Sequence, residues 1–178
     1  DRELAIKLGI EVDANDSDDG IRQRVAENIN WLLGIDATGQ EYRKDIFGDP
    51  MHSSPLVIQF GTSANPANPQ VFIGTNAGFF HAFEDKGRTV EEKWAFIPLE
   101  KIKYALSLRG SGVLVPGIQR EYGIDGSAVD VEYLDSTTSK HLVIFGMRRG
   151  GNAYYAIDLG NGTEPPSLKW HIDSTTKK

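Results

Sequence analysis

The most constraining feature of this sequence is that it states one pattern twice. Ser54-Pro55-Leu56-Val57-Ile58-Gln59-Phe60 is echoed by Ser127-Ala128-Val129-Asp130-Val131-Glu132-Tyr133, and Val71-Phe72-Ile73-Gly74 by Val143-Ile144-Phe145-Gly146. Phe80-His81-Ala82-Phe83-Glu84 matches Tyr154-Tyr155-Ala156-Ile157-Asp158, and Lys93-Trp94 matches Lys169-Trp170. The second copy trails by 72 residues at Gly74 and Gly146, by 74 at Ala82 and Ala156, and by 76 at Trp94 and Trp170. So small a drift is expected of repeats that keep their strands and vary their turns. Four strand-like segments per copy are the signature of a β-propeller blade. The fold class expected is therefore all-β: two four-stranded antiparallel blades of a partial β-propeller, with an N-terminal helical segment and a short inter-blade helix. A propeller closes with about four to eight blades, so two blades read as a fragment of a longer protein. A chain that opens at Asp1 without Met and runs to Lys177-Lys178 fits that expectation.

Periodicity divides the chain into a helical lead-in at 1–50, a blade at 51–98, an inter-blade insertion at 99–126 and a second blade at 127–178. Leu4, Ile6 and Leu8 before Gly9 read as the end of an element. Ile21, Val25, Ile29, Leu32 and Leu33 share one face of a helix over about 19–33, with Arg22, Arg24 and Glu27 largely off it. Ser17 to Asp19 supply its N-cap and first-turn acids, and Gly34 its C′ residue. From Ser53 the period becomes 2, and the apolar character of both strand faces suits strands packed between neighbouring blades. Thr75-Asn76-Ala77-Gly78, Arg148-Arg149-Gly150-Gly151-Asn152, Asp85-Lys86-Gly87 and Gly160-Asn161-Gly162 have turn chemistry. In the insertion, Leu99, Ile102, Leu106 and Leu108 recur at helical spacing, and Gly110-Ser111-Gly112 and Pro116-Gly117 follow as a loop.

Composition narrows the function classes. A net charge of −6, with scattered basic residues and few basic doublets, Arg148-Arg149 and Lys177-Lys178 among them, argues against nucleic acid or an anionic membrane as partner. No apolar run approaches the roughly 18 residues that a spanning helix needs. The absence of cysteine removes disulfides, thiolate chemistry and sulfur-ligated zinc from this segment.

Few residues invite a chemical reading, and each has a plainer one. Asp13, Asn15, Ser17 and Asp19 alternate like the oxygen ligands of a calcium loop. However, Asp18 stands where the sixth-position Gly should be and Arg24 where a bidentate Glu should be, so a helix-capping cluster is the preferred reading. His52 beside Ser53 and Ser54 suggests nucleophilic catalysis, but sequence adjacency supplies neither the geometry nor the orienting acid. A turn whose side chains hydrogen-bond the start of a strand is preferred. His81, His141 and His171 have no ligand spacing among them and read as strand-packing residues. Trp94 and Trp170 could floor a cofactor site, yet equivalent places in two repeats favour packing against the adjacent blade. Asn161-Gly162-Thr163 fits a glycosylation pattern and is read as a turn. No catalytic, cofactor-binding or metal residue is assigned.

Several ordered motifs carry a resemblance. They are Gly48-Asp49-Pro50-Met51-His52-Ser53-Ser54-Pro55, the hairpin from Val71 to Phe83, Ala95-Phe96-Ile97-Pro98, Ile124-Asp125-Gly126-Ser127, and the run from Gly150 to Asp158. Together with Asn30-Trp31-Leu32-Leu33-Gly34 before the first blade, they resemble the C-terminal propeller of the PilC/PilY family of type IV pilus tip-associated proteins, over about residues 20–174. The resemblance implies a fragment of a large exported Gram-negative protein at the cell surface, pilus tip, periplasm or outer membrane. It implies a non-enzymatic role in pilus assembly, retraction control and surface adhesion. The partners implied are minor pilins, a host or abiotic surface, and the remaining blades of the parent chain. It also implies calcium in some full-length members, although no complete calcium loop and no Arg-Gly-Asp sequence occur here. Two competing readings are a quinoprotein-type oxidoreductase propeller, which would need pyrroloquinoline quinone, calcium and a converging polar ring, and a periplasmic envelope-assembly scaffold.

Overall fold

The computed structural model of the protein describes residues 2–36, 39–44, 46–110 and 121–174. The loop predicted around Ser111-Gly112 and Pro116-Gly117, and the Lys177-Lys178 doublet, lie outside the described residues. The chain forms two compact units, one from Asp1–Gly48 with Pro98–Gln119, the other from Asp49–Ile97 with Arg120–Lys178. The lead-in to Gly48 and the insertion as far as Gln119 thus share one unit, and both repeats share the other with the end of the insertion.

The first unit is helical. Helix α1 spans Arg2–Lys7, α2 Asp18–Leu32 and α3 Leu99–Ser107. Ser17 caps α2 by accepting the Gly20 N–H at 3.1 Å. At the other end Gly34, at φ +80°, closes a Schellman turn. Its N–H donates to Trp31 O at 3.0 Å, and that of Ile35 to Asn30 O at 2.8 Å. Ala5, Leu8, Ile21 and Val25 form a small buried core, against which Ile102 and Leu106 pack. The apolar stripe of α2 is buried only along its first half. Ile29 is 37% and Leu33 64% exposed, because the partners that meet Ile21 and Val25 do not extend along the helix. Leu99 of α3 is likewise exposed, and Ala105 is the fully buried residue of that helix.

The second unit holds the two blades. Strands β1 (Leu56–Ile58), β2 (Gly61–Thr62), β3 (Asn65–Pro66), β4 (Gln70–Gly74), β5 (Phe80–Asp85) and β6 (Val90–Phe96) come from the first repeat. Strands β7 (Ala128–Asp135), β8 (Thr138–Gly146), β9 (Tyr154–Gly160) and β10 (Ser167–Ile172) come from the second. One sheet has the order β1-β4-β5-β6, the other β10-β9-β8-β7, and all their pairings are antiparallel. The repeats therefore form separate sheets, as blades require. Two details differ from the sequence expectation. The inner strand of the first blade is only three residues long, with Val57 60% exposed rather than packed. Beyond Phe60 the chain leaves the sheet and makes the small β2–β3 hairpin, which the repeat pattern did not reveal.

Between the sheets lies one aromatic core. The Phe80 ring stacks on Phe145 of the other blade with centroids 4.0 Å apart, and Phe96 meets both Phe145 and Tyr155. Ala82 sits opposite Phe72 and Trp94, and Ala156 opposite Ile144 and Trp170, so the two alanines hold the same place in the two sheets. Both are fully buried. A methyl group is what fits between bulky neighbours at that register. We expect Ala82→Leu and Ala156→Leu each to overpack the core and to cost about 1–3 kcal/mol. Unchanged urea midpoints in both variants would refute tight packing at these positions.

Candidate functional site

Of the residues singled out by sequence, His52 and Ser54 meet the Ile124-to-Ser127 motif where segment 121–126 enters β7. This segment runs between the hairpin turns of both blades. Ile124 N–H donates to Thr75 O at 2.9 Å, Gly123 N–H to Asn76 Oδ1 at 3.4 Å, and Asp125 N–H to Met147 O at 3.3 Å. The seating leaves no room for side chains at its tightest points. A Cβ on Gly123 would lie 2.5 Å from Thr75 O, and one on Gly150 would lie 1.6 Å from Gly123 O.

This seating buries Asp125 completely and brings it to His52. Asp125 Oδ1 lies 2.7 Å from His52 Nδ1, while Oδ2 is buried without a hydrogen-bond partner among the described residues. With its hydrogen on Nδ1, the His52 ring donates to the Asp125 carboxylate. Two residues on, the Ser54 N–H donates to Ser127 Oγ at 2.9 Å. Both links join residues 73 apart, so equivalent positions of the two repeats grip one another. On the solvent side the His52 ring lies 6.0 Å from Tyr122, whose hydroxyl accepts from Arg149 at 3.2 Å.

His52 thus has the orienting acid that sequence adjacency could not supply, but the serines beside it have other tasks. Ser53 Oγ accepts the Gly74 N–H at 3.0 Å and anchors the end of β4. Among the described residues no hydroxyl is hydrogen-bonded to His52. The arrangement ties one blade to the next, and it lacks the nucleophile-to-base contact that acyl transfer requires.

The other histidines are dispersed, each beside a carboxylate. His81 Nδ1 lies 2.6 Å from Glu92, His141 Nδ1 2.9 Å from Asp130, and His171 Nε2 3.9 Å from Asp173. Among the described residues no three His, Asp or Glu side chains gather in a way that could hold a metal ion. In the Asp13-to-Asp19 stretch, Ser17 caps α2 and Asp19 pairs with Arg22 at 3.0 Å. Arg24 ion-pairs with Asp16, and its guanidinium is the main cause that holds that carboxyl below its usual range. Trp94 lies over Phe72 and Phe80 of its own sheet, with centroids 5.9 and 6.3 Å away, and Trp170 faces Ala156. Asn161 makes the predicted turn, its Oδ1 accepting the Thr163 N–H at 3.1 Å.

The repeat also contains an ion pair that strand periodicity hides. Lys93 reaches Glu84 at 3.5 Å in the first blade, and Lys169 reaches Asp158 at 3.3 Å in the second. Glu84 is held below the usual carboxylate range chiefly by the Asn68 amide, with Lys93 and Lys86 adding to it. At Asp158 burial opposes ionisation, but the Gly160 N–H, the Tyr133 hydroxyl and Lys169 together outweigh it and lower the pKa.

Comparison with known proteins places these features in a family. A sequence profile of the PilY1 beta-propeller domain matches residues 34–177. The type IV pilus biogenesis factor PilY1 of Pseudomonas aeruginosa (strain UCBPP-PA14) is 27% identical over 90% of this chain and 15% of its own length. A PilY1 homolog of Xylella fastidiosa (strain Temecula1 / ATCC 700964) is 26% identical over 85% of this chain and 14% of its own. The chain thus spans only about a seventh of these relatives. The crystal structure of the Pseudomonas aeruginosa PilY1 C-terminal domain aligns with a TM-score of 0.38 and 26% identity, over 60% of this chain and 18% of that one. Among the described residues no helix is long and apolar enough to cross a membrane.

Two outcomes test the junction. Truncating His52 to Ala leaves a buried carboxylate without its donor, at an expected cost of about 1–3 kcal/mol. The double variant His52→Ala/Asp125→Ala should cost less than the sum of the singles, and strict additivity of the denaturation free energies would disprove the link. The second outcome concerns pH. Burial holds His81 below its ordinary 6.5 despite the opposing pull of Glu92. The unfolded chain takes up a proton near pH 6.5 that the folded chain refuses, so stability falls as pH drops from 6.5 towards the lower folded value. His81→Gln should flatten the urea midpoint against pH in that window; a slope equal to the wild type would refute it.

Proposed function

Because the chain belongs to the PilY1 beta-propeller family, with the profile covering residues 34–177, we propose that it serves as the propeller segment of a type IV pilus biogenesis factor. The carrying observation is that this match spans both blades, whose links at 73-residue spacing are interactions between neighbouring blades of one propeller. In this reading the segment contributes a rigid surface, and the parent protein acts in pilus assembly, in opposing retraction and in attachment to surfaces. Its partners are minor pilins, a host or abiotic surface, and further blades of the same parent chain. The protein is exported and works at the pilus tip or in the periplasm and outer membrane of a Gram-negative cell. Any calcium dependence belongs to parts of the parent protein beyond these blades.

The role is non-enzymatic, and the histidines support that reading. Each is beside a carboxylate, but they lie at separate positions, whereas an oxidoreductase propeller needs acid, base and cofactor ligands converging on one channel. The test uses the parent gene in its own organism. Deletion should abolish or sharply reduce surface pili, and complementation with Phe80→Ala or Phe145→Ala, which remove the inter-blade stack, should restore little parent protein and few pili. Normal piliation in the deletion strain would overturn the pilus reading. Quinone-dependent turnover by the intact protein would overturn the non-enzymatic one.

A further inference from the structure

The two repeats differ in the length of their first strand, and a cleft opens there. In the second blade β7 is eight residues long, and its Tyr133 donates through its hydroxyl to both oxygens of Asp158 at 3.1 Å. In the first blade β1 stops after three residues and the chain swings out into β2–β3. No tyrosine then covers the equivalent acid, Glu84. Asn68, just beyond the hairpin, reaches Glu84 instead with its amide at 3.2 Å.

What results is a cavity of about 820 Å³ that adjoins a second of about 430 Å³. The two share Gln70, Lys93, Gly162 and Thr163. The floor is firm: Phe60 is buried with His141 edge-on to it at 5.0 Å, and Gly162 at φ +87° sits so close that a Cβ would lie 2.4 Å from the Phe60 ring. Repeat proteins hold their pattern where packing demands it, and a local departure that leaves a shaped polar cavity is where function is expected.

The lining selects the ligand class. Glu84 is kept ionised and fixed from two sides by Asn68 and Lys93, so it offers directed acceptor positions. The side-chain amide of Gln70, half-buried at the junction of the two cavities, has no hydrogen-bond partner among the described residues. It offers both a donor and an acceptor. Trp94 with Pro165 and Pro166 gives the smaller cavity an apolar wall. Across the two cavities Lys93 stands alone against Glu84, Glu132 and Glu164, an acidic balance that disfavours anionic ligands. Hydroxyl groups that donate and accept, on a ring with an apolar face, match this set. We propose that the cleft beside β2–β3 binds a neutral saccharide.

The inference is independent of the pilus reading, and its test is too. Saturation-transfer NMR on the intact parent protein, with maltose, cellobiose, lactose and N,N′-diacetylchitobiose as probes, should show transfer to at least one of them. Gln70→Ala should weaken that sugar roughly three- to tenfold, the loss of a neutral hydrogen bond, and Glu84→Gln at least as much. Thermal unfolding is followed for both; if Glu84→Gln proves unstable, Gln70→Ala decides alone, because its amide holds no other group among the described residues. Transfer to none of the four sugars, or transfer unchanged by Gln70→Ala, would each overturn the proposal.

Discussion

The blade pair depends on one steric condition: backbone must pass between two hairpin turns with no side chain in the way. Gly123 meets the turn at 75–78 on one side and Gly150 on the other, at separations that a single Cβ would violate. Backbone can run that close to backbone only when its polar groups are satisfied, and here Ile124, Gly123 and Asp125 all donate into the flanking turns. Once the segment is seated, the rest follows from chain geometry. Its next residues carry the Asp125 carboxylate to His52 and set Ser127 against the start of β1. The two sheets then come into the register at which Phe80 stacks on Phe145.

That seating explains what the sequence shows and what it conceals. Strand alternation and repeated residue classes are local, so the four strands of each blade, the turns at Gly78 and Gly87, the Ser17 cap and the Gly34 stop could be read directly. The His52–Asp125 contact joins residues 73 apart, and spacing rules built for helices or metal loops do not reach that far. The signal was nevertheless present in the repeat itself. Aligning Ser54 with Ser127 also aligns His52 with Asp125, and in a propeller equivalent positions of adjacent blades are neighbours. The overextended apolar face of α2 has a different cause. Ile29 and Leu33 satisfy helical periodicity, but periodicity records which side of a helix is apolar and not how far along it a partner lies.

The acid–lysine pair shows how a repeat can keep a contact while changing its surroundings. Glu84 with Lys93 and Asp158 with Lys169 bridge the third and fourth strands of their blades at corresponding points, and both acids are stabilised in the charged form. Exposed pairs of this kind contribute little to stability. Their persistence is better explained by the hydrogen bonds each acid also accepts, because those orient its oxygens. In the second blade the Tyr133 hydroxyl occupies both oxygens of Asp158. In the first, Asn68 reaches one oxygen of Glu84 and Lys93 and Lys86 the other, and Glu84 lines the cavity beside the β2–β3 hairpin.

This contrast separates the parts of the chain that packing constrains from those it leaves free. At the inner end, Gly123 and Asp125 answer to contacts with both blades, Ile124 to the first and Gly126 to the second, so substitution there disturbs the fold as a whole. At the outer end, the core takes Ile58 from β1 and Phe60 just after it, but nothing from the chain that leaves the sheet beyond Phe60. Diverting that strand into a hairpin therefore costs few core contacts, and the firm floor of Phe60 against His141 and Gly162 remains in place beneath it. A rigid floor with a replaceable rim is the arrangement in which binding specificity can change without threatening the blade that carries it.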